Sequence, residues 1–473
     1  MLNIPITNHR NILYTMLVIV MTISQAGATI KLPGIFSDNM VLQRNDNVKI
    51  WGNSSAKYVQ ISTSWDKKKY KVNADHSGNW QATISTPAAG GPYTIGLDDG
   101  EKLTLENILI GEVWLCSGQS NMEMPVKGFR NQPTLNSNDI LLEADNSQIR
   151  LIKYDKIASR IPARDNKSTL WQVSEAQTAK EFSAVAFQFA QTLQRKLNVP
   201  VGVIMVAWGG TRIEAWMTQN SLKSFPEIQV KPVSDPSKVG PNDATVLFNA
   251  MINPLVGYGI KGILWYQGEA NRTNSEKYEQ MMGSMVKEWR QLWDRDMAFY
   301  YVQIAPFQYA DNPLASARLR EAQLKASRSI PNSGMAVTMD VGMESFIHPP
   351  DKTVVSQRLA FQALSKTYGV KGLAHESPVY KSMSIENDVV NLRFDHAENG
   401  LTSFGKILST FEIAGEDKVF YPASAKLIAT GIAVQSDKVK SPVAVHYAFK
   451  DWVVGDLYNV EGLPASSFRT DEW

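Results

Sequence analysis

Hydrophobic and polar positions divide the chain into three stretches. From Thr29 to Asn107, strand-sized segments (Val48 to Trp51, Val59 to Ser64, Gln81 to Ser85) alternate with turn residues such as Ser37-Asp38-Asn39, Arg44-Asn45-Asp46-Asn47 and Asp75-His76-Ser77-Gly78-Asn79. Short strands broken by turns at this spacing predict a small β-sandwich. From Ile108 the pattern changes. Apolar runs appear at Ile108 to Cys116, which resumes after Gly111-Glu112, and at Val201 to Ala207, Ile260 to Tyr266, Phe299 to Ile304 and Met335 to Met339. Between them, Phe182, Val185, Phe189, Leu193 and Leu197 recur at helical steps, and helices are also expected over Tyr278 to Trp293, Leu314 to Ser329 and Thr353 to Tyr368. Buried strands alternating with helices imply a parallel sheet covered on both faces. After Gly369 short strands return, at Val389 to Phe394, Phe411 to Ile413, Val419 to Tyr421, Ala425 to Ile428 and Val443 to Phe449. The expected division is a β-sandwich over 29–107, an α/β domain over 108–370 and a β-rich region over 371–473. The pattern leaves open whether that last region pairs with the first or packs on the α/β domain.

In an open α/β sheet, ligands bind where the carboxyl ends of the strands meet loops. Three of the apolar runs end there in residues suited to chemistry: Ser117-Gly118-Gln119-Ser120, Trp208-Gly209-Gly210-Thr211 and Gln267-Gly268-Glu269. Ser120 can cap the next helix, but its place at this rim makes it the candidate nucleophile. A serine hydroxyl needs a base, most often histidine. Of the six histidines, only His348 occupies a strand-to-helix loop of the α/β region. An oxyanion needs donors. The Ser120 N–H, the backbone of Gly209 or Gly210, and the Gln267 side-chain amide are the candidates. A tight turn explains the glycines equally well, and a cap explains Gln267.

Composition narrows this picture. A chain of 473 residues has room for two to four domains at about 100–200 residues each. A net charge of +2 offers no electrostatic argument for nucleic acid. Cys116 is the only cysteine, so neither an intrachain disulfide nor a cysteine-based metal site is possible. His9 and Arg10 precede an apolar run from Ile12 to Ile23, followed by Ala26-Gly27-Ala28. This has the form of a secretory signal peptide over residues 1–28. The mature chain is then expected in the periplasm or outside the cell, with no membrane span after cleavage.

Four ordered blocks carry a resemblance: Gly111-Glu112-Val113-Trp114-Leu115-Cys116-Ser117-Gly118-Gln119-Ser120-Asn121-Met122, Gly209-Gly210-Thr211-Arg212-Ile213-Glu214-Ala215-Trp216, Trp265-Tyr266-Gln267-Gly268-Glu269-Ala270-Asn271 and Ile347-His348-Pro349. With Met40-Val41-Leu42-Gln43-Arg44 near the start, the chain resembles the sialate O-acetylesterase family, a branch of the SGNH-type serine hydrolases. The resemblance implies a flavodoxin-like three-layer α/β SGNH hydrolase domain with flanking β-sandwich elements. It implies a secreted serine carbohydrate esterase that takes an acetylated sugar or glycan as substrate and removes O-acetyl groups from sialic acids, without metal or organic cofactor. Ser120 matches the nucleophile and His348 the base. Gly209 matches the oxyanion glycine, with Gly210 beside it, and Gln267 stands where the wider superfamily has an oxyanion asparagine. The family usually carries an aspartate two or three residues before the histidine, where this chain has Phe346 and Ser345. Three arrangements are open: Glu344 orients the ring, Asp340 does, or a backbone carbonyl does and the pair works as a dyad. Two other functions stay in view, an esterase of plant polysaccharides such as xyloglucan or xylan, and a non-catalytic carbohydrate-binding protein.

Overall fold

The computed structural model describes residues 1, 2 and 29–473. Apart from its first two positions, the expected signal segment lies outside the described residues. Among the described residues no helix is long and apolar enough to cross a membrane.

One strand, Lys102–Gly118, runs through the expected boundary at 107/108. Its first part alternates exposed and covered side chains and pairs antiparallel with Gly90–Asp98. Asn107 adopts a left-handed conformation (φ 53°) at the changeover. From Ile108 onward every residue is buried, as a strand covered on both faces requires. The rest of the first region follows the sequence pattern. Asp46–Asn53 pairs with Asn79–Thr86, and Tyr58–Thr63 lies between Lys69–Asn73 and Gly90–Asp98.

The central sheet has the order Ser333–Ala336, Ala298–Val302, Gly262–Tyr266, Lys102–Gly118, Val201–Ala207, Asn146–Lys153, Gln172–Ser174. All these pairings are parallel except that of the last, edge strand. Successive side chains of a strand point to opposite faces, and two cores result. Val113, Leu115, Ile263, Trp265, Phe299 and Tyr301 join Met285, Trp289 and Leu319 from helices Tyr278–Trp293 and Ala315–Ser329. On the other face, Trp114, Cys116, Leu264 and Tyr300 join Phe189 and Leu193 of Ala184–Leu197 and Val355 and Leu359 of Lys352–Gln362. Each such fully buried side chain contributes about 1.5–3 kcal/mol. Register fixes the rim: Gly118 lies opposite both Ala207 and Tyr266, so three strands end level with one another.

The C-terminal region forms two four-stranded antiparallel sheets. The question the pattern left open is answered by contacts to the α/β domain. Arg469 pairs with Glu321 at 3.2 Å, Arg320 Nε donates to Ser467 Oγ at 3.1 Å, and Gln303 Nε2 donates to Ser466 Oγ at 2.7 Å.

Candidate active site

Ser120 stands where the central strand breaks. Gly118 has φ +136°, and a Cβ there would lie 2.2 Å from the Tyr266 carbonyl oxygen. Only glycine lets the two strand ends approach this closely. Two backbone bonds lock the break: Gln119 N–H donates to Tyr266 O at 2.9 Å and Trp208 N–H to Gly118 O at 3.0 Å. The short helix Ser120–Glu123 then begins with Ser120 as its first residue, half-buried. The Ser120 N–H and Oγ have no hydrogen-bond partner among the described residues, so both are open to a ligand.

His348 reaches the same rim on the loop before Lys352–Gln362. Asn121, next to Ser120, donates from Nδ2 to the carbonyl of Ile347, next to His348, at 3.2 Å. A direct Ser120–His348 hydrogen bond is not formed here; catalytic bonds of this kind tighten on substrate binding. Burial pushes the imidazole down to about 4, the Lys352 charge adds to this, and Glu123 opposes it. A lowered value keeps His348 neutral, hence basic, throughout the neutral range. The acid limb of kcat/KM is therefore expected near pH 4, with activity lost as pH falls through that value; a limb near the free-histidine value of about 6.5 would show that the ring is not held in this environment.

The expected orienting acids are elsewhere. Glu344 is exposed and its side chain makes no hydrogen bond among the described residues; its backbone carbonyl accepts from Gln308 N–H at 3.2 Å. Asp340 is held by Arg358 through two bonds of 2.7 Å. The group on His348 Nδ1 is the side-chain oxygen of Gln132, supplied by the loop that follows the Ser120 helix.

The oxyanion candidates separate as well. Gln267 is fully buried; its amide nitrogen donates to Thr211 O at 3.0 Å and Asn271 Oδ1 at 2.8 Å, and its oxygen accepts from Tyr278 Oη at 2.8 Å. With its amide committed inward, it braces the rim and faces no substrate. The Gly209 N–H donates to Glu123 Oε2 at 2.8 Å, while Lys156 pairs with the other oxygen of Glu123. That carboxylate has to leave Gly209 before its N–H can hold an oxyanion. Gly210, exposed with φ +74°, lies on the same turn, and its N–H has no hydrogen-bond partner among the described residues. Gly209 lies against Ser120: a Cβ there would sit 3.1 Å from Ser120 Cβ and 3.4 Å from Glu123 Oε2. Gly209→Ala is expected to displace Ser120 and lower kcat about 10–100-fold with little change in melting temperature. Unchanged kcat would mean that this turn does not border the reacting group.

A buried ionic group lies beneath the rim. Lys352 Nζ donates to Asn121 Oδ1 at 2.6 Å, and Asn121 Nδ2 also donates to Glu269 Oε1 at 2.5 Å. Burial pushes Lys352 down to about 7 against the pull of Glu269 and Asp351. It pushes the Glu269 carboxyl up against its bond from Asn121 and the Lys352 charge. Asn121 thus ties the Ser120 helix, the His348 loop and the Gln267-Gly268-Glu269 turn together. Glu269 stood in the sequence inside a motif and Lys352 shortly after His348, but nothing in their spacing marked them as buried partners.

Comparison with known proteins gives the family of the chain. Residues 110–364 match the family model described as carbohydrate esterase, sialic acid-specific acetylesterase. A carbohydrate acetylesterase from Xanthomonas citri has a solved structure with TM-score 0.86 and 34% identity, covering 94% of this chain and 100% of that one. The protein is therefore a carboxylic ester hydrolase of the carbohydrate esterase class. Human sialate O-acetylesterase is 28% identical over 90% of this chain and 89% of its own length, and the mouse enzyme 27% over 92% of each. The matched span is more than half of the sequence, and the chain belongs to the sialic acid-specific acetylesterase family.

Proposed function

We propose that this protein is a secreted serine esterase of SGNH type that removes O-acetyl groups from sialic acids through an acetyl-enzyme. The observation that carries the reading is the Asn121–Ile347 bond, which brings the Ser120 helix and the His348 loop to one rim. His348 Nε2 takes the Ser120 proton as Oγ bonds to the acetyl carbonyl carbon. The carbonyl oxygen becomes an oxyanion on the Ser120 N–H and an N–H of the Gly209-Gly210 turn. The tetrahedral centre collapses, the bond to the sugar oxygen breaks, and His348 returns the proton to that oxygen. Water, deprotonated by His348, then attacks acetyl-Ser120 and releases acetate.

A second reading keeps the chemistry and changes the sugar. The Xanthomonas citri protein, at 34% identity, is described only as a carbohydrate acetylesterase. Acetylated hemicellulose such as xyloglucan or xylan is therefore the alternative substrate, because a fold does not fix the sugar. Acetate release from O-acetylated sialic acid, xyloglucan and xylan, compared by kcat/KM, separates the two. Preference for the sialic acid supports the first reading, and preference for a hemicellulose replaces it with the second.

A further inference from the structure

The loop after the nucleophile helix does more than border the substrate. Phe129 and Gln132 exchange backbone hydrogen bonds, at 2.9 Å from Phe129 N–H and 3.1 Å from Gln132 N–H, which closes a tight turn. Thr134 Oγ1 fastens the turn to Pro125 O at 3.0 Å, and Leu135 N–H donates to Pro350 O at 2.9 Å. That last bond ties it directly to the His348 loop. The turn meets the imidazole twice. The Phe129 ring stands edge-on to it at 5.2 Å and 64°, and Gln132 Oε1 lies on Nδ1.

We propose that Gln132 is the positioning residue for His348, taking the place of the acid that the reaction ordinarily uses. The inference rests on the Ser120–His348 reading. An amide oxygen accepts only from a protonated Nδ1, so it selects the tautomer whose Nε2 is the basic nitrogen. In this role the amide does what a carboxylate does for geometry and tautomer. It differs in charge: a carboxylate also stabilises the imidazolium formed in catalysis, and a neutral amide does not. The charged groups acting on the ring are then Lys352, from the following helix, and Glu123, from the nucleophile helix, with Lys156 paired to Glu123.

The test is a pair of substitutions read by full pH profiles. Gln132→Glu keeps an acceptor and adds charge, so the acid limb of kcat/KM should move up by about one unit or more. Gln132→Leu removes the acceptor at similar size, so kcat should fall at least about tenfold with KM within about twofold. An unmoved acid limb in the first variant, or wild-type kcat in the second, overturns the proposal. A merely structural role would lower both variants without moving the limb. Loss of the underlying reading looks different: Ser120→Ala would then release acetate at the wild-type rate, whatever the Gln132 variants do.

Discussion

Ser120→Ala is expected to lower kcat for acetate release by about 10⁴–10⁶-fold and leave the melting temperature nearly unchanged. The side chain is half-buried and its Oγ has no hydrogen-bond partner among the described residues, so its removal breaks no internal bond. The break in the strand is held by Gly118, Gln119 and Trp208 through backbone contacts, which alanine at 120 does not touch. A residual rate above that of water is expected, because the oxyanion donors and substrate binding remain. Steady-state kinetics with thermal melts checks this: a fall in activity with a matching collapse of the fold would make the effect structural.

The largest expected change in stability lies beneath the rim. Lys352→Met removes the cation that faces Glu269 and donates to Asn121 at 2.6 Å. Glu269 is 8% exposed, and its Oε2 already has no hydrogen-bond partner. Leaving that carboxyl buried without the Lys352 charge costs on the order of 1–3 kcal/mol, because burial already favours its neutral form, and this is readable as a lowered urea midpoint. The double variant Lys352→Met with Glu269→Gln should recover at least about half of the loss, because no unpaired charge is then left inside. A single variant as stable as the wild type, or no recovery in the double, would show that the two groups are not coupled.

Both effects begin in features of very different legibility. Five of the seven strands on the central path were readable because they are apolar runs, whereas Asn146–Lys153 and the short edge strand Gln172–Ser174 carry polar residues and were missed; the helix over Tyr278–Trp293 begins and ends where its pattern does. The shared location of Ser120 and Gly209 was readable because strand ends of a parallel sheet meet at one rim, and Gly118 opposite Ala207 and Tyr266 makes that rim level. The strand Val379–Glu386 was missed. It is an edge strand with mostly exposed side chains, so no apolar alternation marks it.

Within the site, reasoning along the chain failed where side chains are set by contacts between distant segments. Glu344 was a natural candidate by spacing from His348, but its side chain is exposed while the ring turns to Gln132, 216 positions away. Gln267 was expected to donate to substrate because it follows a strand. Tyr278, Thr211 and Asn271 draw its amide inward instead. The stretch from Lys127 to Ile140 shows no periodicity, and it takes the contacts of Phe129 and Gln132 with His348 and the Leu135–Pro350 bond to reveal that it packs on the His348 loop. Lys352 reads as a surface lysine at a helix start, and the packing of Asn121 over it makes it a buried one.

Covalent trapping decides whether Ser120 is the nucleophile. The protein is treated with an organophosphate, residual acetate release is followed, and the adduct is mapped by peptide mass spectrometry. The account predicts one adduct, on Ser120, formed in step with loss of activity and absent from Ser120→Ala. Inactivation with the adduct on another residue, or sugar binding with no adduct at all, would contradict it.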